Sequence, residues 1–317
     1  MKKGTIIALI VASVLILAGG TILTLGLSFA DSLGQSDVTT VTQSTHTIPE
    51  SFDSILIDTE DCNVDFVLLE GVSDPYVVIQ ERERTNHSIL VENGTLKIQM
   101  TDNRSWRDFI GVNWEQMSIT LYLPQVQYAS VRVTTATGHI QIQEAFQIQE
   151  ARLHSDTGKI VCSAEVTDNL GCFTATGSIT VQGTTAGITT LDSNTGRIHV
   201  SNATGTEFHL ENDTGRTELE NISCALLTSE SETGDVTLRN VLVEEHLQVS
   251  TDTGDVLIEN SDTGSANIET DTGDVTGHFL SPKYFVTETD TGNIVVPQSR
   301  EGGECLVTTD TGDITFY

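Results

Sequence analysis

A Thr-Gly pair recurs ten times in this 317-residue chain, with its glycine at 138, 158, 177, 196, 215, 234, 254, 273, 292 and 312. Every step is 19 or 20 residues, a regularity that chance does not produce and that confines the chain to a stacked repeat architecture. Counted from each glycine, position +2 is Ile140, Ile160, Ile179, Ile198, Thr217, Val236, Val256, Val275, Ile294 and Ile314. Position +4 includes Ile142, Cys162, Val181, Val200, Leu219, Leu238, Ile258, Val296 and Phe316. Position −5 includes Val133, Leu153, Cys172, Leu191, Leu210, Val249, Ile268 and Val307. Apolar spacing by two on both sides of the glycine predicts two strands, each with one face buried, and a bend between them.

A second corner is marked at +6, where Asn202, Asn221, Asn240 and Asn260 stand in successive repeats. Asparagine tolerates left-handed backbone and bonds to its neighbours above and below, so a stacked ladder is expected. A short third strand is expected at about +7 to +9, as in Val241 to Val243. The fold class is therefore all-β: a parallel β-solenoid of about ten coils of 19–20 residues, its coils about 4.8 Å apart. The invariant Thr at −1 and the Thr or Ser at −3 are both expected to face inward and −2 outward, by alternation from −5. Residues 48–130 read as irregular β-rich first coils and a cap, and 131–317 as the regular repeats. A hairpin is expected around Asn93-Gly94, and a strand from Met117 to Leu123, ended by Pro124. The last glycine is followed by one strand only, so the final coil is expected to have an open edge.

The first thirty residues differ in kind. Thr5 to Leu27 carries no charge and as a helix is long enough to cross a bilayer. Lys2 and Lys3 place its start inside and the remainder outside. The expectation is one N-terminal transmembrane helix (1–30), a polar stalk (31–47) and an extracellular domain held at the cell membrane by a single pass. A cleaved signal peptide ending at Ser28-Phe29-Ala30 is the competing reading; the apolar run exceeds the usual h-region.

Beyond residue 30 the chain has 13 basic and 45 acidic side chains, a net charge of −32. Such a surface repels phosphate backbones and excludes nucleic acid as a partner; divalent cations and cationic peptides are the partners it attracts. Position −2 concentrates the acids, and Asp252 with Asp255, Asp271 with Asp274, and Asp310 with Asp313 bracket their glycines. Stacked carboxylates repel, and calcium is the cofactor that would relieve them. The plainer reading is a solvated acidic edge, which His139, Lys159, Arg197 and Arg216 at +1 partly offset. Otherwise no cofactor is expected.

Asp-Thr-Gly occurs seven times, whereas an aspartic protease needs two buried copies whose carboxylates share a proton. Inward threonines would also deny the Thr-x-Thr arrays the wet, flat face of an ice-binding solenoid. The five cysteines, at 62, 162, 172, 224 and 305, give no zinc spacing, and Cys162, Cys172 and Cys305 fall on core positions. Cys162 and Cys172 lie on facing strands of one coil, where a disulfide is the alternative to free thiols. The eight histidines are scattered and no nucleophile elbow or phosphate loop is present, so no enzyme is expected and no catalytic residue is assigned.

Phe52-Asp53-Ser54-Ile55-Leu56-Ile57, Asn93-Gly94-Thr95-Leu96-Lys97-Ile98, Ile119 to Pro124 and the Thr-Gly-Asp/Asn-Ile/Val repeats together resemble a bacterial family of adhesin-like proteins with β-strand repeats, to which LiaG-like envelope proteins belong. The resemblance spans the chain from residue 48. It implies a β-solenoid at the cell surface and transfers no catalytic residue. The expected function is a membrane-anchored, non-enzymatic surface module that binds envelope polymers or surface glycans. The alternatives are an envelope-stress accessory that binds cationic peptides or a membrane partner, and an enzyme acting on polysaccharide.

Overall fold

The computed structural model describes residues 41–69, 71, 74–82, 85–102 and 117–317. Every regular element in it is a β-strand. Along the repeats, strands end at the −1 threonine and resume at +2, as in Gln147–Thr157 followed by Ile160–Cys162. They pair in parallel with the same positions one repeat later: Leu153 beside Cys172, Ile160 beside Ile179. The coils within the stack therefore bury their +2, +4 and −5 side chains in one continuous column, where Ile140, Leu153, Val181, Leu191, Leu238 and Ile258 are fully enclosed; in the outermost coil Ile294 at +2 is exposed. The ten glycine corners bound nine intervals, and the solenoid has about nine turns, against the ten coils expected.

Glycine is required at the corner by close approach. A Cβ on Gly234 would collide with the carbonyl of Gly215, and one on Gly196 with that of Gly177. Between them runs a vertical ladder in which the Gly215 N–H donates to Thr233 O (2.9 Å) and that of Gly234 to Thr253 O (2.9 Å). The second corner is turned by asparagine, with φ of 52° at Asn202, 56° at Asn221, 53° at Asn240 and 48° at Asn260. Asn221 Nδ2 donates to Asn202 Oδ1 (2.9 Å) and Asn240 Nδ2 to Asn221 Oδ1 (3.0 Å). The short third stretch also forms, Val241–Val243 lying beside Ile222–Cys224.

The −1 threonines depart from expectation. Position −3 is buried, but Thr157, Thr195, Thr233, Thr253, Thr272 and Thr311 are exposed. Alternation breaks at −2, so −2 and −1 both face water: the corner is wider than one glycine. The −3 side chain then spans it, Ser155 Oγ donating to Gly138 O (2.8 Å), Thr270 Oγ1 to Gly254 O (3.2 Å) and Asn212 Nδ2 to Gly196 O (3.1 Å). The exposed threonine column is flanked at −2 by carboxylates, not by a second threonine column, so no flat Thr-x-Thr face results.

Both ends of the stack depart from sequence order. At the N-terminal end Ser54–Thr59 lies between Thr95–Asp102 and Gln127–Thr137, parallel to both, and Cys62–Leu68 lies likewise between Met117–Leu123 and Ile140–Ile142. Thr85–Glu92 closes on Thr95–Asp102 as the expected Asn93-Gly94 hairpin, and Tyr76–Arg82 runs antiparallel between Met117–Leu123 and Val41–Thr47. The last seven residues of the segment read as a stalk thus form a cap strand.

At the C-terminal end Gly303–Thr311 sits between Val256–Thr272 and Lys283–Thr291, and Ile314–Phe316 between Val275–Phe279 and Ile294–Val295. The last strands in sequence are interior to the stack, which corrects the expected open edge there; the outermost coil is the penultimate one. Phe316 packs against Phe279 (5.5 Å between ring centroids) and Phe285 (4.9 Å). The backbone gains two neighbours instead of one, and three rings are removed from water.

The membrane expectation is corrected as well. The described residues contain no helix long and apolar enough to cross a membrane. The run Thr5–Leu27 on which the expectation rested lies outside the described residues. The fold of the described residues is a parallel β-solenoid with no transmembrane helix. The single-pass membrane anchor, and the cell-membrane localisation with an extracellular C-terminal domain built on it, are withdrawn with it.

Candidate functional site

A solenoid of this kind presents columns of outward side chains, one residue per coil, and its chemistry is the chemistry of those columns. At +1, just past the corner, Asp235, Asp255, Asp274, Asp313 and Asn293 stack in that spatial order. Asp235 Oδ1 accepts the backbone N–H of Asp255 (3.2 Å), Asp255 Oδ1 that of Asp274 (2.9 Å), Asp274 Oδ1 that of Asp313 (2.8 Å) and Asp313 Oδ1 that of Asn293 (2.7 Å). Each carboxylate thus satisfies an N–H that the bend leaves without a strand partner, which gives aspartate a structural reason to recur here.

Of the calcium candidates, Asp255, Asp274 and Asp313 hold this ladder, while Asp252, Asp271 and Asp310 stand exposed at −2 on the other side of the corner. Among the described residues no three His, Cys, Asp or Glu side chains converge as a metal site. In earlier coils the +1 column is basic and consumes the acids beside it: Arg216 Nη2 lies 3.1 Å from Asp235 Oδ2, Arg197 pairs with Glu218, and His139 Nε2 lies 3.2 Å from Asp65 Oδ1.

The long strands carry a second acidic patch. Asp192, Glu211 and Glu230 are register neighbours at −4, with Asp213 and Glu232 beside them at −2. Burial first, and then Asp213, raise the carboxyl of Asp192 above its ordinary range. Asp192 is the main cause that raises Glu211, with Asp213, Glu230 and Glu232 adding to it. A column of like charge one strand apart holds its protons more tightly than isolated carboxylates do.

The cysteines are all buried free thiols, so Cys162 and Cys172 are not paired. Burial pushes Cys162 up to about 11 and Cys62, Cys224 and Cys305 up to about 12, which suppresses the reactive thiolate. The one strongly buried cation is Lys283, 3 % exposed, among the described residues. Its Nζ donates to Asp262 Oδ1 (2.6 Å), Thr263 O (2.6 Å) and Ser281 Oγ (2.7 Å) where the penultimate coil turns outward. It is a structural pin between this coil and the Asp262–Thr263 segment one repeat earlier.

Repeating coils, a filled apolar interior and outward ladders define a β-solenoid whose surface, not an enclosed cleft, is available to partners. The Toastrack DUF4097 family model matches residues 52–316, and the chain belongs to that family. No curated relative matches it. Among solved structures it is similar to a "putative adhesin" from Bacteroides fragilis, at 12 % identity and a TM-score of 0.41, covering 88 % of this chain and 97 % of that one. It is also similar to a "putative adhesin" from Parabacteroides distasonis, at 10 % identity and a TM-score of 0.35, covering 88 % and 98 %.

Proposed function

We propose that this protein is a non-enzymatic, adhesin-like binding module that holds an extended polymer, an envelope polymer or surface glycan, against its outward ladders. The observation that carries the reading is the register. Columns such as Asp192, Glu211 and Glu230 repeat one residue per coil, and a periodic surface complements a periodic ligand. A polysaccharide-acting enzyme would need an acid and a base set apart in a groove; the carboxylates here form uniform columns. Membrane anchoring is no part of this reading.

A second reading is favoured by the patch of Asp192, Glu211, Asp213, Glu230 and Glu232. Carboxylates held together against their mutual repulsion attract a cationic peptide, in a manner that salt weakens. One experiment separates the two: binding of the full chain to purified envelope polymers and to cationic peptides, across a salt series, with calcium and with chelator. Polymer binding that survives salt supports the first reading; peptide binding that fades with salt supports the second. Polymer binding abolished by chelator would place calcium on the outward Asp252, Asp271 and Asp310, and no binding to either probe would overturn both readings.

A further inference from the structure

On the long strands the outward charge at −4 and −2 is mainly acidic, and one place at −6 inverts that. Arg132 and Arg152 are register neighbours on adjacent strands, both at −6 and both exposed. Their backbones lie one strand spacing apart, about 4.8 Å, so both side chains leave the same face of the sheet and place two positive charges in one neighbourhood. In a chain with three times as many acids as bases, carboxylate partners should be easy to find. Arg197, Arg216 and Arg239 all have them. Arg132 and Arg152 have no ion pair or hydrogen bond to the protein among the described residues. His154, the next outward base along the strand, is already engaged by Asp156 at 2.9 Å.

Arg152 is also held in place. Its guanidinium carbon lies 4.2 Å from the centroid of the Phe173 ring, one coil further on. That ring leans over Gly171, the residue in register with Arg152, and occupies the space a Cβ there would need. A glycine in the −6 column therefore lets an aromatic ring lie flat on the sheet and stack the arginine. A stacked guanidinium keeps its N–H edge directed outward and loses less freedom when an anion binds. The result is a shallow groove of about 230 Å³, lined by both arginines and Phe173 and by the polar side chains of Ser130, Asn169 and Thr190. Glu150 also lines it, beyond ion-pair distance of either arginine.

We propose that this groove is the subsite at which the solenoid grips an oxyanion carried on a hydroxyl-rich polymer. The Arg132 and Arg152 guanidiniums hold the charge, and Ser130, Asn169 and Thr190 meet the hydroxyls of the carrier. The chemistry is shared by a carboxylate on an acidic saccharide and a phosphate on a polyol-phosphate chain. The protein's net charge does not forbid it: at physiological ionic strength charges beyond about 8 Å are largely screened, so the local pair governs the contact. The inference rests on the reading of the solenoid as a polymer-binding module.

The test is calorimetric titration of the full chain with three oligomers of matched length: a glucuronate-containing saccharide, a glycerol phosphate oligomer and a neutral glucan. At least one anionic oligomer binds and the neutral one does not; which of the two binds more tightly identifies the source of the oxyanion. The double variant Arg132→Gln/Arg152→Gln weakens that binding by about tenfold or more, the worth of lost charge-assisted hydrogen bonds. Phe173→Leu weakens it less. Arg239→Gln, which removes one equal charge from an arginine already paired with Glu259, leaves it unchanged. All four arginine and phenylalanine positions face water, so an unchanged thermal melt confirms each fold. Equal binding of the neutral oligomer, or full binding by the double variant, overturns the subsite while the polymer-binding reading stands. Failure of the wild type to bind any polymer in this and the broader screen overturns both.

Discussion

Asn221 shows how much a single side chain does at a solenoid corner. Its backbone sits at φ 56°, and its amide both donates to Asn202 and accepts from Asn240. Asn221→Ala loses both bonds and forces an alanine into left-handed backbone, a combined loss of about 1–2 kcal/mol in this exposed position. Asn221→Gly loses the bonds but keeps the conformation, so its urea midpoint should fall between wild type and alanine. Equal midpoints for the two variants would refute the backbone part of the argument. Lys283 poses the complementary case. Burial alone would raise Asp262, but hydrogen bonds from Lys283 and Ser281 outweigh it and hold the carboxyl below its ordinary range. A depressed folded pKa gives stability that is full above the unfolded value of about 4 and is lost as pH falls through the folded one. Asp262→Asn should therefore cost about 3 kcal/mol near neutral pH, because the buried ammonium loses its counter-charge, and progressively less below pH 4. Urea unfolding of both proteins from pH 7 to pH 3 measures this; a pH-independent difference would rule it out.

At the scale of the element, the sequence made most of the solenoid readable because each coil repeats the same physical problem. Ile, Val and Leu at +2, +4 and −5 can bury only on a two-residue period, glycine alone fits beneath the carbonyl of the next coil, and asparagine alone among side-chain-bearing residues turned the second corner four times. Two things were not readable. Outward −1 threonines require knowing that the corner spans −2 and −1, and strand alternation carries no such information. Coil order at the ends is invisible to a period, since Lys283–Thr291 and Gly303–Thr311 carry the same repeat and either could follow Val256–Thr272 in register. The Arg132–Arg152 pair is legible in the sequence, since the −6 column, twenty residues at a time, puts both arginines in one line. The changed order gives a sharp expectation. Deleting residues 303–317 removes an interior coil, so Lys283–Thr291 loses the strand it pairs with among the described residues. Hydrogen exchange should show protection lost across residues 280–302 and retained through Val256–Thr272. Persistent protection of Lys283–Thr291 in the deletion variant would contradict the topology.

For the described unit as a whole, charge sets the conditions of greatest stability. Asp192, raised first by burial, and Glu211, raised first by Asp192, hold protons more tightly in the fold than in the unfolded chain. Their ionised forms are a penalty present at neutral pH and relieved as pH falls through the raised values. The Asp262 pair works in the opposite direction, but only at lower pH. The melting temperature should therefore rise as pH falls from 7 through the raised values and fall again below about pH 4, and at pH 7 it should rise with added salt as the ladder is screened. A monotonic decline from pH 7 downward, or insensitivity to salt, would show that the ladder carries no strain. Asp192→Asn should flatten the upper part of the profile.

The interleaved C-terminal coil also bears on how the protein is made. Translation releases the chain from one end, and coils from Gln127 to Phe279 can be laid down in the order they emerge. The coil of Lys283–Thr291 cannot then dock where it finally belongs, because the layer beneath it has not been synthesised. It must wait until residues 303–316 have formed the layer between it and Val256–Thr272. Growth of the stack is thus sequential for most of its length and then departs from sequence order, so the slowest step in reaching the native state is expected only after residues 303–316 have emerged.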